Sequence, residues 1–135
     1  MFYQNGENKN EVRRIDCMNE VVFDEDLGQF KYENDGLIFV WDEKPDEDVS
    51  DVVDMLTKNY HKNLNDIVSF MINDLQQLYG DLDVETIKEK IGKPIIDYDN
   101  GIVSYVEQEF DDIHIFEFEF LDDSFEELQY FSIDG

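Results

Sequence analysis

The sequence predicts an α+β fold: a mainly antiparallel sheet packed on one long amphipathic helix, with a short second helix. Three observations point there. Between Ser50 and Tyr79 apolar residues recur in steps of three and four, with no glycine or proline to interrupt them, which is the helical period. On both sides of that stretch, short apolar or alternating runs are separated by Asn34-Asp35-Gly36 and Asp99-Asn100-Gly101, residues that tight hairpin turns require. The strand signals are grouped before and after the helical ones instead of alternating with them, which separates α+β from α/β.

Taken in order, residues 1–11 read as a polar tail and 12–135 as a single domain, large enough to bury a core without staples. Short strands are expected at Val12–Cys17 and Glu20–Phe23. Gln29–Glu33 alternates around Phe30 and Tyr32, and after the Asn34-Asp35-Gly36 turn comes the apolar run Leu37–Trp41. Apolar on both parities, that run suits a central strand partly covered on its second face. An acidic loop around Pro45 leads into the helix. Ser50 is the expected cap, Asp51 and Asp54 suit the positive first turn, and Gly80 stands where a left-handed residue ends a helix. Asn59–Asn63 is its weakest part, since asparagines lower helix propensity. A helix-turn-helix split there is the alternative, but the apolar phase carries through, so one helix of about 45 Å is the preferred reading. Asp83 should cap a short helix ending near Ile91, stopped by Gly92 and Pro94. Strands then follow at Pro94–Tyr98, Ile102–Glu107, Ile113–Leu121 and Leu128–Ile133. In the third of these Phe116, Phe118 and Phe120 point one way and Glu117 and Glu119 the other, giving a half-buried strand with a charged outer face.

The 35 acids against 10 bases leave a net charge of -25, while 11 Phe and 7 Tyr argue for a folded chain rather than an acidic disordered one. Such a charge repels nucleic acid and anionic membrane and favours a basic partner. Cys17 is the single cysteine, which excludes an intrachain disulfide, and with no signal pattern at the start a cytoplasmic location is expected. No apolar run approaches the ~20 residues that span a bilayer. The charge is unevenly spread. From Pro94 onward there are 13 acids and no lysine or arginine. Glu107, Glu109, Asp111, Asp112, Glu117, Glu119, Asp122 and Asp123 are the expected partner-binding residues, with Tyr105, Phe110 and Tyr130 as candidate anchors.

Catalytic chemistry finds little footing. His114 shares the parity of Phe116 and reads as a packed or edge histidine, and His61 as a surface one. Nucleophile, P-loop and dinucleotide motifs are absent. Asp97-Tyr98-Asp99-Asn100-Gly101 lacks the frame and closing glutamate of a calcium loop and reads as a turn. Asp81, Asp83 and Glu85 could collect a divalent cation, but helix capping explains Asp83 more cheaply. The expectation is a non-enzyme with no cofactor and no metal.

The order of Phe23-x-x-x-x-Gly28-x-Phe30-x-Tyr32, an apolar strand, a long helix, a short helix and the closing Ile95–Gly135 segment resembles a bacterial domain-of-unknown-function family of short acidic proteins. That resemblance spans about Val21 to Gly135 and implies no catalytic residues. In style the chain also resembles the immunity proteins of bacterial toxin systems, which are cytoplasmic and bind a cognate toxin domain, often a basic nuclease. This implies an inhibitor that docks a cationic protein through the acidic C-terminal sheet face. Two alternatives stand beside it: acids that imitate nucleic-acid phosphates to occupy a DNA- or RNA-binding protein, and a structural domain whose acidic surface only solubilises it.

Overall fold

The computed structural model describes residues 21–135. The expected tail over 1–11, the strand at Val12–Cys17 and the start of the one at Glu20 lie outside the described residues. Seven strands form one sheet in sequence order: β1 (Val22–Asp24), β2 (Gln29–Asn34), β3 (Leu37–Trp41), β4 (Ile95–Asp97), β5 (Ile102–Tyr105), β6 (Ile115–Phe120) and β7 (Leu128–Asp134). Every neighbouring pair is antiparallel except β3 and β4, which run parallel. Parallel neighbours need a crossover, and three helices supply it: α1 (Ser50–Lys62), α2 (Leu64–Tyr79) and α3 (Val84–Lys90). The fold class is α+β, as the grouping of signals predicts.

The turns behave as their residues demand. Asp35 and Gly36 take φ of 49° and 82° between paired Asn34 and Leu37, the two positive values of a type I′ hairpin. Asp97 organises the next hairpin by accepting from the amide of Asn100 at 3.3 Å and from its side chain at 2.8 Å. Asp83 caps α3 through the Thr86 amide at 2.8 Å.

Two helical expectations need correction. The long helix is two helices that meet at Asn63, where φ -104° and ψ 13° leave the helical basin. The Asn63 side chain donates to the Asn59 carbonyl at 3.2 Å and to the Ser124 carbonyl at 2.5 Å. An asparagine amide that bonds backbone in this way competes with the helical ladder. The apolar phase survives because Asn63 N still reaches Asn59 O at 3.0 Å and Ile67 N reaches Asn63 O at 2.9 Å. Ser50 is not the cap either. It is the first helical residue, and Asp48 accepts from its amide at 2.9 Å.

The helices cover one face of the sheet. Val53, Leu56 and Tyr60 of α1 and Ile67, Val68, Met71 and Leu75 of α2 join Phe39, Ile96, Val103, Tyr105, Phe116 and Phe118 in one buried cluster. Each such side chain contributes about 1.5–3 kcal/mol by leaving water. The outer face carries the other parity: Glu33, Ile38, Ile95, Ser104, Glu117 and Ser132 align across it, as do Lys31, Val40, Asp97, Ile102, Glu119 and Gln129. Its centre is apolar. Ile38, Val40 and Ile95 form a second buried cluster against Leu27, the partial cover that an all-apolar β3 calls for. No helix among the described residues is long and apolar enough to cross a membrane.

Candidate partner-binding surface

The segment between β5 and β6 holds four of the eight acids singled out by sequence, and its shape is set by Gln108. That side chain is only 7% exposed. Its Nε2 donates to the Asp111 carbonyl at 3.1 Å, to Asp111 Oδ1 at 3.0 Å and to the His114 carbonyl at 2.8 Å. Its Oε1 accepts from the amides of Phe110 at 2.7 Å and Asp111 at 3.2 Å. One glutamine thus serves backbone groups that no ladder can reach, as a buried segment requires.

Asp111 is the second hub. It accepts from the amides of Ile113 at 3.1 Å and His114 at 3.0 Å, from His114 Nδ1 at 2.6 Å and from the Tyr79 hydroxyl. The Tyr79 hydroxyl, followed by donors on His114 and Gln108, holds its carboxyl well below the usual carboxylate range against the opposing effect of burial. Burial, reinforced by Asp111, pushes the Tyr79 hydroxyl up. An ionised Asp111 can only accept, so the His114 Nδ1 that faces it carries a proton.

Helices anchor the same loop from outside. Tyr79 stacks on Phe110 with centroids 4.9 Å apart, and the Lys90 backbone carbonyl accepts from the Glu109 amide at 2.7 Å while the Lys90 ammonium lies 5.6 Å from the Phe110 ring centroid. The loop so held carries Ile113 at 69% exposure, with Val106 and Ile115 also exposed. Glu107, Glu109 and Asp112 are exposed on the same segment.

The remaining four acids lie elsewhere. Glu117 and Glu119 project from β6 onto the outer face, where Ser104 Oγ donates to Glu117 at 3.1 Å and Gln129 Nε2 to Glu119 at 2.9 Å. Asp122 and Asp123 sit past the other end of β6, about 20 Å along the strand from the loop. Asp122 accepts from the amides of Glu126 and Glu127, both at 3.0 Å, and from Ser124 Oγ at 2.8 Å. Burial works to raise its carboxyl, and those donors outweigh it, so the group stays below its ordinary value. Asp123 accepts from the Tyr98 hydroxyl at 3.3 Å. The eight acids therefore occupy one strand face and both of its ends. Asp111 and Asp122 spend their oxygens on the chain's own donors and shape the loops that carry the others. Of the three candidate anchors, Tyr105 is fully buried in the core, Phe110 is half-buried under Tyr79, and Tyr130 is 73% exposed.

Protein-family models, curated proteins and solved structures offer no match to this chain.

A groove of about 500 Å³ between α2 and β7 is lined by Asp74, Gln77, Leu78, His114, Phe131 and Ile133. The Asp111–His114 pair can position an imidazole there, but no lining residue carries a hydroxyl or thiol for it to activate. Among the described residues no group of three or more His, Cys, Asp or Glu side chains is placed to hold a metal ion. Sequence reasoning missed the hub. Its signal is the three-residue spacing Gln108-x-x-Asp111-x-x-His114, in which the polar members turn inward.

Proposed function

We propose that the protein acts by stoichiometric binding of a basic protein, neutralising it as an immunity protein neutralises its toxin. The docking surface on this reading is the Val106–His114 loop with the adjoining outer face of β6. The observation that carries it is a loop hydrogen-bonded through Gln108 and Asp111 that presents exposed Ile113 among Glu107, Glu109 and Asp112. Apolar centres with a charged rim are the anatomy of protein interfaces. A loop ordered before binding loses little entropy when it docks, and a field of one sign speeds encounter with a partner of the other.

The test starts with affinity capture at low salt, elution in a salt gradient, and the mass of the complex in solution. A single basic protein in a one-to-one complex is expected. Changing Glu107, Glu109, Glu117 and Glu119 together to lysine should slow association about ten-fold or more and flatten its salt dependence. Ile113→Ser should leave association alone and speed dissociation about five-fold. Elution of many cationic proteins together, or binding untouched by both variants, refutes the reading.

A further inference from the structure

Tyr130 is strained and exposed at once. Its φ is 56°, a left-handed value that a bulky side chain rarely takes. Phe125 has φ 58° as well, but it is 1% exposed and packs edge-on against Tyr60 at 5.7 Å and beside Phe120 at 4.9 Å, so burial offsets its backbone. Tyr130 has no such return from the fold, being 73% exposed. It lies in edge strand β7, where Glu117 pairs with Ser132 and Glu119 with Gln129, so that two residues oppose Phe118. This is a β-bulge with its first residue left-handed, a position where glycine is the residue of choice. Packing requires the bulge but not an aromatic at it, and a tyrosine that keeps its ring in water at a strained position points to function.

We propose that Tyr130 is a platform for an arginine side chain of the basic partner, whose guanidinium stacks on the exposed ring. This deepens the docking surface described above and rests on that reading. Ser104 and Gln129 hold one oxygen each of Glu117 and Glu119, which fixes those carboxylates on the outer face. A planar, weakly hydrated guanidinium stacks on an aromatic face, whereas a lysine ammonium stays a hydrated point charge. The platform therefore discriminates arginine from lysine, which net charge alone does not.

Arginine and lysine nonapeptides titrated calorimetrically into the full chain at low salt provide the test. The parent should prefer the arginine peptide about two- to five-fold. Tyr130→Gly keeps the bulge and removes only the ring, so the preference should vanish while the thermal midpoint stays the same or rises. Phe23→Ser, at the exposed aromatic of β1, should leave the preference intact. A preference that persists in Tyr130→Gly, or a midpoint that falls by several degrees, overturns the platform and leaves the docking reading standing. Binding of neither peptide overturns both.

Discussion

Gln108→Ala isolates the device that shapes the docking loop. Four backbone groups lose their partner: the amides of Phe110 and Asp111 and the carbonyls of Asp111 and His114. At about 1 kcal/mol net for each bond, the loss is roughly 4 kcal/mol. The side-chain entropy released by removing an ordered glutamine returns about 2 kcal/mol. The expected cost is therefore about 2 kcal/mol, or a fall of roughly 8 °C in the thermal midpoint of a chain this size. Urea unfolding should show a lower midpoint with an unchanged slope, and hydrogen exchange at Phe110 and Asp111 should quicken most. Gln108→Glu sharpens the test, because it keeps the shape but sets a carboxylate against Asp111 Oδ1, which now accepts from Nε2 at 3.0 Å. That neighbour raises the introduced carboxyl above its unfolded value near 4.3. The penalty is thus absent below about pH 4 and grows as pH rises through the raised value. The glutamate variant should be less stable than the alanine one at pH 7 and approach the parent near pH 4. An alanine variant within about 0.5 kcal/mol of the parent, or a glutamate variant indifferent to pH, refutes the reasoning.

Gly92→Ala should destabilise the fold by roughly 2–3 kcal/mol, since φ is 76° and an added Cβ would stand 2.8 Å from the Glu107 carbonyl oxygen; a urea midpoint near that of the parent would show that the loop can move aside. The buried hydroxyls of Tyr60 and Tyr105 lie 2.5 Å apart, and burial pushes both well above the usual tyrosine value. Their folded-state values are raised, so this stabilisation is complete below about pH 10 and is lost as pH rises further. Tyr60→Phe should cost about 1–2 kcal/mol at pH 7 by leaving Tyr105 alone and should make the alkaline loss shallower; an unchanged alkaline limb would assign that loss elsewhere.

The fold was legible where local chemistry and burial agree. Asn34-Asp35-Gly36 marked a tight turn, Asp83 stood where a helix cap is wanted, and the Phe116–Phe118–Phe120 alternation set the parity of β6. Asn63 was harder. Its break depends on the Ser124 carbonyl, 61 positions away in the chain, and periodicity within a helix carries no trace of so distant an acceptor. Propensity marked the weak point, and the apolar phase argued against it because a kink that keeps the ladder keeps the phase.

The site was legible in charge and not in geometry. Acid-rich segments look uniformly solvated in sequence, yet Asp111 and Asp122 each face several donors while Asp112 and Glu107 face water. What distinguishes them is the need of neighbouring amides for acceptors, which appears only once the loop is closed. Tyr130 is different, because its bulge follows from packing once the strand pairing is known. Leu128 pairs with Phe120, while Phe131 and Ile133 pack on the same core, with Phe131 6.2 Å from Phe116. A strand repeats every two residues, so Leu128 and Phe131 cannot both face inward unless one extra residue is inserted between them. That residue must lie at Gln129 or Tyr130, and Gln129 is held opposite Glu119 by its side-chain bond. The insertion therefore falls on Tyr130. Once it does, the bulge wants a left-handed residue, and the chain supplies a tyrosine where glycine or asparagine would suit the backbone better. Packing explains why an extra residue is there, but it does not explain why that residue is aromatic.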